Sequence, residues 1–362
     1  MANKTKQLID SYRQLRQQGD DCVLATIIET FGSTYQKAGA RMLITRQDEL
    51  IGLLGGGCFE RDLVEQARSV FDSGEAKTVC YDMRAPDDMI WGLGLGCNGA
   101  VTVLLQLLQA AEQFSPLSSI ADASDSNMTG VLVTVYESSH SRFPAGYNLF
   151  LPAPTNGYLP ATAFPLPTAA TQTLLQQKPR LETHLIDGQT VKAFYDPLQP
   201  PLHLLVLGAG TDALPLVQFA KALGWNVTVV DHRPGYIQQQ RFLQADRLLH
   251  IMPEEIGAKL PLAPFSAVVL MTHNIEYDGR YLQAIGHSDI PFIGLLGPAH
   301  RKDRLLQSLG SQAAAISDRV FGPVGLDIGA QTPEEIALAI MAGIHAELSG
   351  RSGQQLSIKI AT

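Results

Sequence analysis

The run LHLLVLGAGTDALPLVQFAKALGWNVTVVD, residues 202–231, decides the fold. Residues 202–207 are continuously apolar and read as a strand buried on both faces. Gly208 and Gly210 follow, an amphipathic helix runs to about residue 223, and NVTVVD (226–231) is the next strand. This is a βαβ unit whose turn, Gly208-Ala209-Gly210-Thr211-Asp212-Ala213, has the form G-x-G-x-x-A. Such glycines let backbone N–H groups at a helix N-terminus approach a phosphate closely. Asp231 ends the second strand, where a carboxylate can accept from ribose hydroxyls, so an NAD-type ligand is favoured over NADP. Arg233 blurs that choice, and Asp212 in the first helical turn opposes a pyrophosphate. A Rossmann-like turn kept only for packing is the plainer alternative.

Outward from this unit the pattern repeats. AVVLMT (267–272) and FIGLLG (292–297) are further apolar strands with helical patterns between and after them. Residues 333–348 form a strong helix, with Pro333 in its first turn and Glu334 and Glu335 at the positive end of its dipole. Residues 201–362 therefore predict a Rossmann-like doubly wound parallel sheet. Thr272-His273-Asn274 lies at a strand end, where such sheets bind ligands, so His273 is a candidate ligand-facing group with Asp278 to orient it. His300, Arg301, Lys302 and Arg304 follow another strand end and are candidate phosphate groups. The run Gly325-Leu326-Asp327-Ile328-Gly329-Ala330 reads as a tight loop near the same crevice.

Upstream, DPLQPP (196–201) marks a boundary, because Pro200-Pro201 can neither continue a helix nor sit in a central strand. Residues 1–200 form an N-terminal α+β domain in this reading. A helix is expected over 4–18, strands over 22–30, 40–46, 50–55, 77–82, 100–108 and 129–137, and a helix over 58–72 stopped by Gly74. The alternation in CVLATIIET (22–30) marks it as a strand. Residues 115–128 read as a small, polar, turn-prone seam. Residues 143–168, with Pro144, Pro152, Pro154, Pro160, Pro165 and Pro167, read as an irregular surface stretch.

Three glycine-bearing segments of this first domain carry candidate chemistry. In Gly55-Gly56-Gly57-Cys58-Phe59-Glu60, a strand leads into a helix. There the dipole and free N–H groups stabilise a Cys58 thiolate, and Gly56 and Gly57 admit a ligand close to the backbone. Glu60 caps the helix or points into the site. Trp91-Gly92-Leu93-Gly94-Leu95-Gly96-Cys97-Asn98-Gly99 is a second glycine loop bearing a cysteine, and if the two loops converge, Cys58 and Cys97 share a ligand or relay sulfur. No Cys-x-x-Cys or His-x-x-x-His spacing accompanies them, which argues against structural zinc. Ser33, Thr34, Lys37 and Arg41, around Gly32 and Gly39, make a compact donor set for an anion. Cys22 and Cys80 sit in strands and read as inert core residues. Each segment also has a plainer reading, as a packed turn or a solvated basic end.

The whole chain sets the bounds. Its 362 residues suggest two domains. With 45% hydrophobic and 17% charged residues it is ordinary globular material, which excludes collagen, coiled coil and wholesale disorder. Lys plus Arg number 27 and Asp plus Glu 35, a net charge of −8, which argues against non-specific binding to nucleic acid or anionic membranes. No apolar run is long enough for a membrane span. The opening residues are polar and lack a signal-peptide core. Four cysteines in a chain this long are no disulfide framework, so a reducing, cytoplasmic setting is expected.

Taken together, the motifs resemble one family. The set comprises Gly32-Ser33-Thr34, Gly39-Ala40-Arg41-Met42, Gly56-Gly57-Cys58, Gly96-Cys97-Asn98-Gly99, Gly208-Ala209-Gly210, Met271-Thr272-His273-Asn274, Ile293–Gly297 and Gly325–Ala330. In this order, from about residue 11 to 348, it is similar to the XdhC/CoxI family of accessory factors for molybdenum hydroxylases such as xanthine dehydrogenase and carbon monoxide dehydrogenase. The resemblance implies a chaperone, rather than an enzyme with its own turnover. It would bind molybdenum cofactor (molybdopterin, mononucleotide or dinucleotide form), support its sulfuration with a cysteine desulfurase, and deliver it to the hydroxylase. In that role Cys58 coordinates molybdenum or carries sulfur, and Cys97 is the second thiol. Gly56, Gly57, Ser33, Thr34, Arg41, Gly208, Gly210, Asp231 and His273 form the cofactor-binding set. A homodimer is compatible with the chain, though no residue pattern proves it. Two alternatives stand beside this: an NAD-dependent oxidoreductase built on the Gly208 loop and Asp231, and a non-catalytic docking scaffold for the target enzyme.

Overall fold

The computed structural model describes residues 2–57, 59–84, 99–154, 167–238 and 240–356. The chain divides into two compact units that meet at Pro200–Pro201.

The first unit is built on two antiparallel sheets. Helix α1 (Ala2–Gln18) leads into β1 (Cys22–Gly32), β2 (Arg41–Thr45) and β3 (Leu50–Gly52), and α2 (Glu60–Ser73) precedes β4 (Lys77–Asp82) and β5 (Gly99–Leu108). These strands form one sheet in the order β3-β2-β1-β5-β4. After α3 (Leu117–Asp125) come β6 (Gly130–Ser138), β7 (Asn148–Pro152), α4 (Pro167–Gln176), β8 (Arg180–Ile186) and β9 (Gln189–Leu198). They form a second sheet in the order β7-β6-β9-β8.

β1 is buried continuously from Cys22 to Ile28 because its sheet is covered on both sides. Val23, Ala25 and Ile27 pack under Leu63, Ala67 and Val70 of α2. Cys22 and Leu24 face Leu8 and Tyr12 of α1 and Leu117 and Ile120 of α3. Ile28 and Leu104 reach Phe194 of the second sheet.

Two expectations need correction. The seam at 115–128 contains α3, whose Leu117, Ile120 and Ala121 are buried. Three apolar residues at helical spacing outweigh the surrounding serines and aspartates. The proline-rich stretch includes β7, which pairs with β6 from Asn148 to Pro152, with Pro152 closing an edge strand. Residues 155–166 lie outside the described residues.

The second unit contains β10 (His203–Leu207), α5 (Ala213–Ala222), β11 (Asn226–Asp231), β12 (Arg247–His250), α6 (Ile256–Lys259) and β13 (Ala267–Leu270). It continues with α7 (Ile275–Ile285), β14 (Phe292–Leu295), α8 (Ala299–Ser308), α9 (Ala313–Ile316), β15 (Val320–Phe321) and α10 (Pro333–Leu348). All six strands are parallel, in the order β12-β11-β10-β13-β14-β15. The α/β class expected from the sequence is the observed one. Leu204 and Val206 face α5 and α10, while Leu205 and Leu207 face α7 and its neighbours. Two buried faces explain why the central strands β10, β13 and β14 are apolar from Leu204, Ala267 and Phe292 onward. The strand order reverses direction between β10 and β13, and ligands of such sheets bind at that switch point, beyond the carboxyl ends of the strands.

Candidate functional site

The switch point is shaped by backbone contacts. Gly208 has φ +126°, and a Cβ there would lie 2.4 Å from the Met271 carbonyl oxygen beyond the end of β13. Only glycine fits this approach of β10 to β13. Ala213, the last motif position, is fully buried where α5 meets the sheet. The N–H groups of Gly210, Thr211 and Asp212, leading into α5, find no protein acceptor among the described residues.

Asp231 is placed differently from the ribose acceptor the sequence suggested. Its side chain is fully buried. One oxygen accepts from the Ala209 N–H at 2.7 Å and from Arg233 Nη2 at 2.8 Å. The other accepts from the Arg233 N–H at 2.8 Å and from Nε at 2.9 Å. Burial alone would raise this carboxyl, but the Arg233 guanidinium and the two N–H groups outweigh it and hold it below the usual carboxylate range. Asp231 therefore braces the Gly208 loop, with its acceptor capacity already spent inside the protein.

His273 is oriented by Asp212. Its Nε2 lies 2.7 Å from Asp212 Oδ2. Asp278, the partner expected from the sequence, instead accepts from Thr272 Oγ1 at 2.6 Å and from Arg301 Nη2 at 2.6 Å. Because β10 and β13 are neighbours, the residues that follow each strand meet, which is a signal the strand order alone carries. His273 adopts φ +60°, a left-handed conformation. It is clamped between the Thr272–Asp278 bond and Asn274, whose side chain caps α7 by accepting from Glu276 and Tyr277 N–H groups. A non-glycine residue held there is costly and persists only where its neighbours fix it.

A cavity of about 1080 Å³ opens beside this pair. Its walls come from the segments after β10, β13, β14 and β15 and from α10. Leu216, Met271, Leu296 and Ile340 give it apolar surface; Asp212, His273, Arg301 and Asp327 are its charged and titratable groups. Among the four basic-cluster residues named from the sequence, Arg301 lines the cavity, and its buried Nε has no acceptor among the described residues. The Gly325–Ala330 loop forms one wall. A Cβ on Gly325 would lie 2.8 Å from the Ala339 carbonyl carbon, and one on Gly343 would lie 3.1 Å from Gly325 Cα. Loop and α10 thus touch backbone to backbone, with Leu326 N–H donating to the Ala339 carbonyl at 3.0 Å.

In the first unit, Cys58 and residues 91–98, including Cys97, lie outside the described residues. Their flanks do come together. The Tyr35 ring lies over Gly56, and a Cβ on Gly99 would meet the Ser33 carbonyl oxygen at 2.4 Å. The segment 33–35 is thus bordered by Gly56 and Gly99. The N–H groups of the first loop are not free, however. The buried Glu60 carboxylate accepts from Leu54 and Gly55 through Oε1 and from Gly57 and Phe59 through Oε2. The N–H groups of Gly57 and Phe59, on either side of position 58, therefore already have an anionic acceptor.

The anion-binding set around Arg41 does not assemble. Arg41 is largely covered and bridges to the buried Asp196 of β9 at 2.5 Å. The Thr34 hydroxyl donates to the Gln36 carbonyl at 2.7 Å, and Lys37 Nζ stands 3.5 Å from it. Ser33 is exposed. Of the remaining cysteines, Cys22 is buried, and burial pushes its thiol up to about 12. Cys80, expected in the core, is exposed on the edge strand β4. Among the described residues, no group of three or more His, Cys, Asp or Glu is placed to hold a metal ion, and no helix is long and apolar enough to cross a membrane.

Known proteins match both units. Residues 15–82 match the model of the XdhC and CoxI family, and residues 204–344 match that of the XdhC Rossmann domain. A Bacillus subtilis protein, a probable subunit of xanthine dehydrogenase by its name, is 34% identical over 325 residues, covering 90% of this chain and 92% of that protein. An uncharacterised Escherichia coli protein, YqeB, is 31% identical over 146 residues, 39% of this chain and 26% of its own length. The crystal structure of a xanthine dehydrogenase from Bacillus halodurans superposes with a TM-score of 0.75 at 29% identity, covering 99% of this chain and 98% of that one. With two family models matched in order and a relative this similar over nearly its whole length, the chain belongs to the XdhC and CoxI family.

Proposed function

We propose that this protein is an accessory factor of a xanthine dehydrogenase-type molybdenum hydroxylase. It binds molybdenum cofactor, supports its sulfuration with a cysteine desulfurase, and hands it to the hydroxylase. The observation that carries the reading is the cavity of about 1080 Å³ at the switch point of a chain related throughout its length to a protein named for xanthine dehydrogenase.

The residues present suit a phosphate-bearing pterin. Unclaimed N–H groups at 210–212 are donors for an anion, and the Arg301 guanidinium lines the same cavity. Leu216, Met271 and Ile340 offer apolar surface to a flat ring, and His273 and Asp327 are acceptors. When bound, the cofactor supplies the molybdenum and the dithiolene that holds it. The chain orients it and excludes water. Cys58 stands as the thiol that meets the metal or carries sulfur, with Cys97 as the second.

The NAD reading is weakened by Asp231, whose oxygens are both committed to Ala209 and Arg233. The test is anaerobic incubation of the purified protein with molybdenum cofactor, followed by metal and pterin analysis, for wild type and Cys58→Ala. Stoichiometric retention by wild type supports the reading, and its loss in Cys58→Ala places the thiol at the metal. No retention by wild type sinks it.

A further inference from the structure

The Rossmann cavity holds an acid–base pair, Asp212 and His273, of which the reading above uses only an acceptor atom. Asp212 Oδ2 accepts a hydrogen bond from His273 Nε2 at 2.7 Å. An imidazole carries one proton in its neutral form, so this bond fixes the proton on Nε2 and leaves a lone pair on Nδ1. The imidazole is 60% exposed and lines the cavity, while Asp212 is three-quarters covered, so the pair presents its imidazole end to the cavity. Its placement is enforced. The left-handed backbone at His273 is held from one side by Thr272 and Asp278 and from the other by the Asn274 cap. The other titratable groups facing the cavity are Arg301, neutralised by the buried Asp278, and Asp327. Neither makes a bond to the imidazole.

We propose that His273, oriented by Asp212, is the proton-accepting residue of this cavity, and that it reads an acidic ring N–H on a ligand whose phosphate sits at the N–H groups of residues 210–212. The ligand class is a phosphorylated 2-amino-4-oxopyrimidine, a group common to pterins and guanine. The inference rests on the reading that this cavity takes the phosphate and pterin of the cofactor. The ring N–H donates to Nδ1. Should the proton transfer, it passes from the ring nitrogen to Nδ1 while the electron pair stays on the ring. The resulting imidazolium is stabilised by Asp212, and the proton returns on release. No oxidant or further reactant is needed.

The test uses the full chain and two air-stable probes. GMP carries a phosphate and a ring N–H; AMP carries the phosphate but has a bare acceptor at the corresponding ring position. GMP is expected to bind about tenfold more tightly than AMP, the worth of one well-made hydrogen bond. His273→Asn keeps a residue that tolerates the left-handed backbone and should abolish that preference. Nitrogen NMR of labelled histidine should show His273 protonated on Nε2 in the neutral form and a mixture of tautomers in Asp212→Asn. It should also show the Nδ1 resonance moving on addition of GMP and not of AMP. Equal binding of the two nucleotides, binding of neither, or a preference that survives His273→Asn overturns the proposal. Cofactor retention by wild type alongside any of those results overturns the His273 role and leaves the accessory reading standing. A GMP preference without cofactor retention does the reverse.

Discussion

The Gly55 N–H donates to Glu60 Oε1 at 2.5 Å, so the first residue of α2 folds back over the glycine turn that precedes it. Leu54, Gly57 and Phe59 donate to the same carboxylate, which is buried. Removing it leaves several enclosed donors unpaired. Glu60→Ala is expected to cost about 3 kcal/mol, since each buried unsatisfied donor costs roughly 1–3 kcal/mol and such penalties do not simply add. Urea unfolding followed by circular dichroism measures this. Glu60→Gln, which keeps an acceptor oxygen, should lose distinctly less.

Arg41 and Asp196 invite a different comparison. Asp196 is buried and bridged at 2.5 Å by the largely covered Arg41, so Arg41→Ala strands a carboxylate in the interior. A loss of about 3–5 kcal/mol is expected. Replacing both, as Arg41→Met with Asp196→Leu, should recover most of it, because no lone charge remains. A double variant no more stable than Arg41→Ala in chemical denaturation would contradict this.

At Gly208 the question is space. A Cβ would press to 2.4 Å on the Met271 carbonyl. Gly208→Ala must separate β10 from β13 and should lower the stability of the second unit by about 2 kcal/mol or more, with backbone strain added to overlap. Limited proteolysis after Pro200–Pro201, with and without the change, reports on this unit separately.

His203 makes stability depend on pH. Burial holds this imidazole down to about 4, beside Thr228 Oγ1 at 3.1 Å. An unfolded histidine titrates near pH 6.5, so the unfolded chain takes up a proton first as pH falls. The contribution of His203 is complete above about 6.5 and is lost progressively as pH drops toward 4. Thermal unfolding between these limits should show Tm falling with pH, and His203→Gln should flatten that part of the slope.

The thiols offer a quick chemical check. Cys80 is exposed, whereas Cys22 is buried with its thiol pushed up to about 12. Iodoacetamide at neutral pH, followed by peptide mapping, should label Cys80 in the native protein and Cys22 only after denaturation.

The Rossmann unit is legible in the sequence because its central strands are apolar runs and its turns are marked by glycine. The expected strand 202–207 lies within one residue of β10, and NVTVVD is β11. What the sequence hides is partnership. Arg41 and Asp231 are charged residues beside glycine turns, and composition there suggests a ligand. Each is instead matched inside the protein, Arg41 by a carboxylate on a distant strand and Asp231 by Ala209 and Arg233. Asp212 reads as an obstacle to phosphate until the order β10-β13 brings it to His273. α3 and β9 escape a sequence reading for another reason. Their apolar residues are few and interleaved with Ser, Asp and Lys, and burial against neighbouring elements decides their structure.

The contact between Gly325 and Gly343 has a mechanical consequence. Side chains can rotate to absorb a shift, but two backbones in van der Waals contact cannot. Any slide or roll of α10 is therefore passed undamped to residues 326–330, and so to the position of Asp327. The helix and the loop are thus one stiff wall of the cavity, and a larger residue at Gly343 would alter its shape from outside the lining.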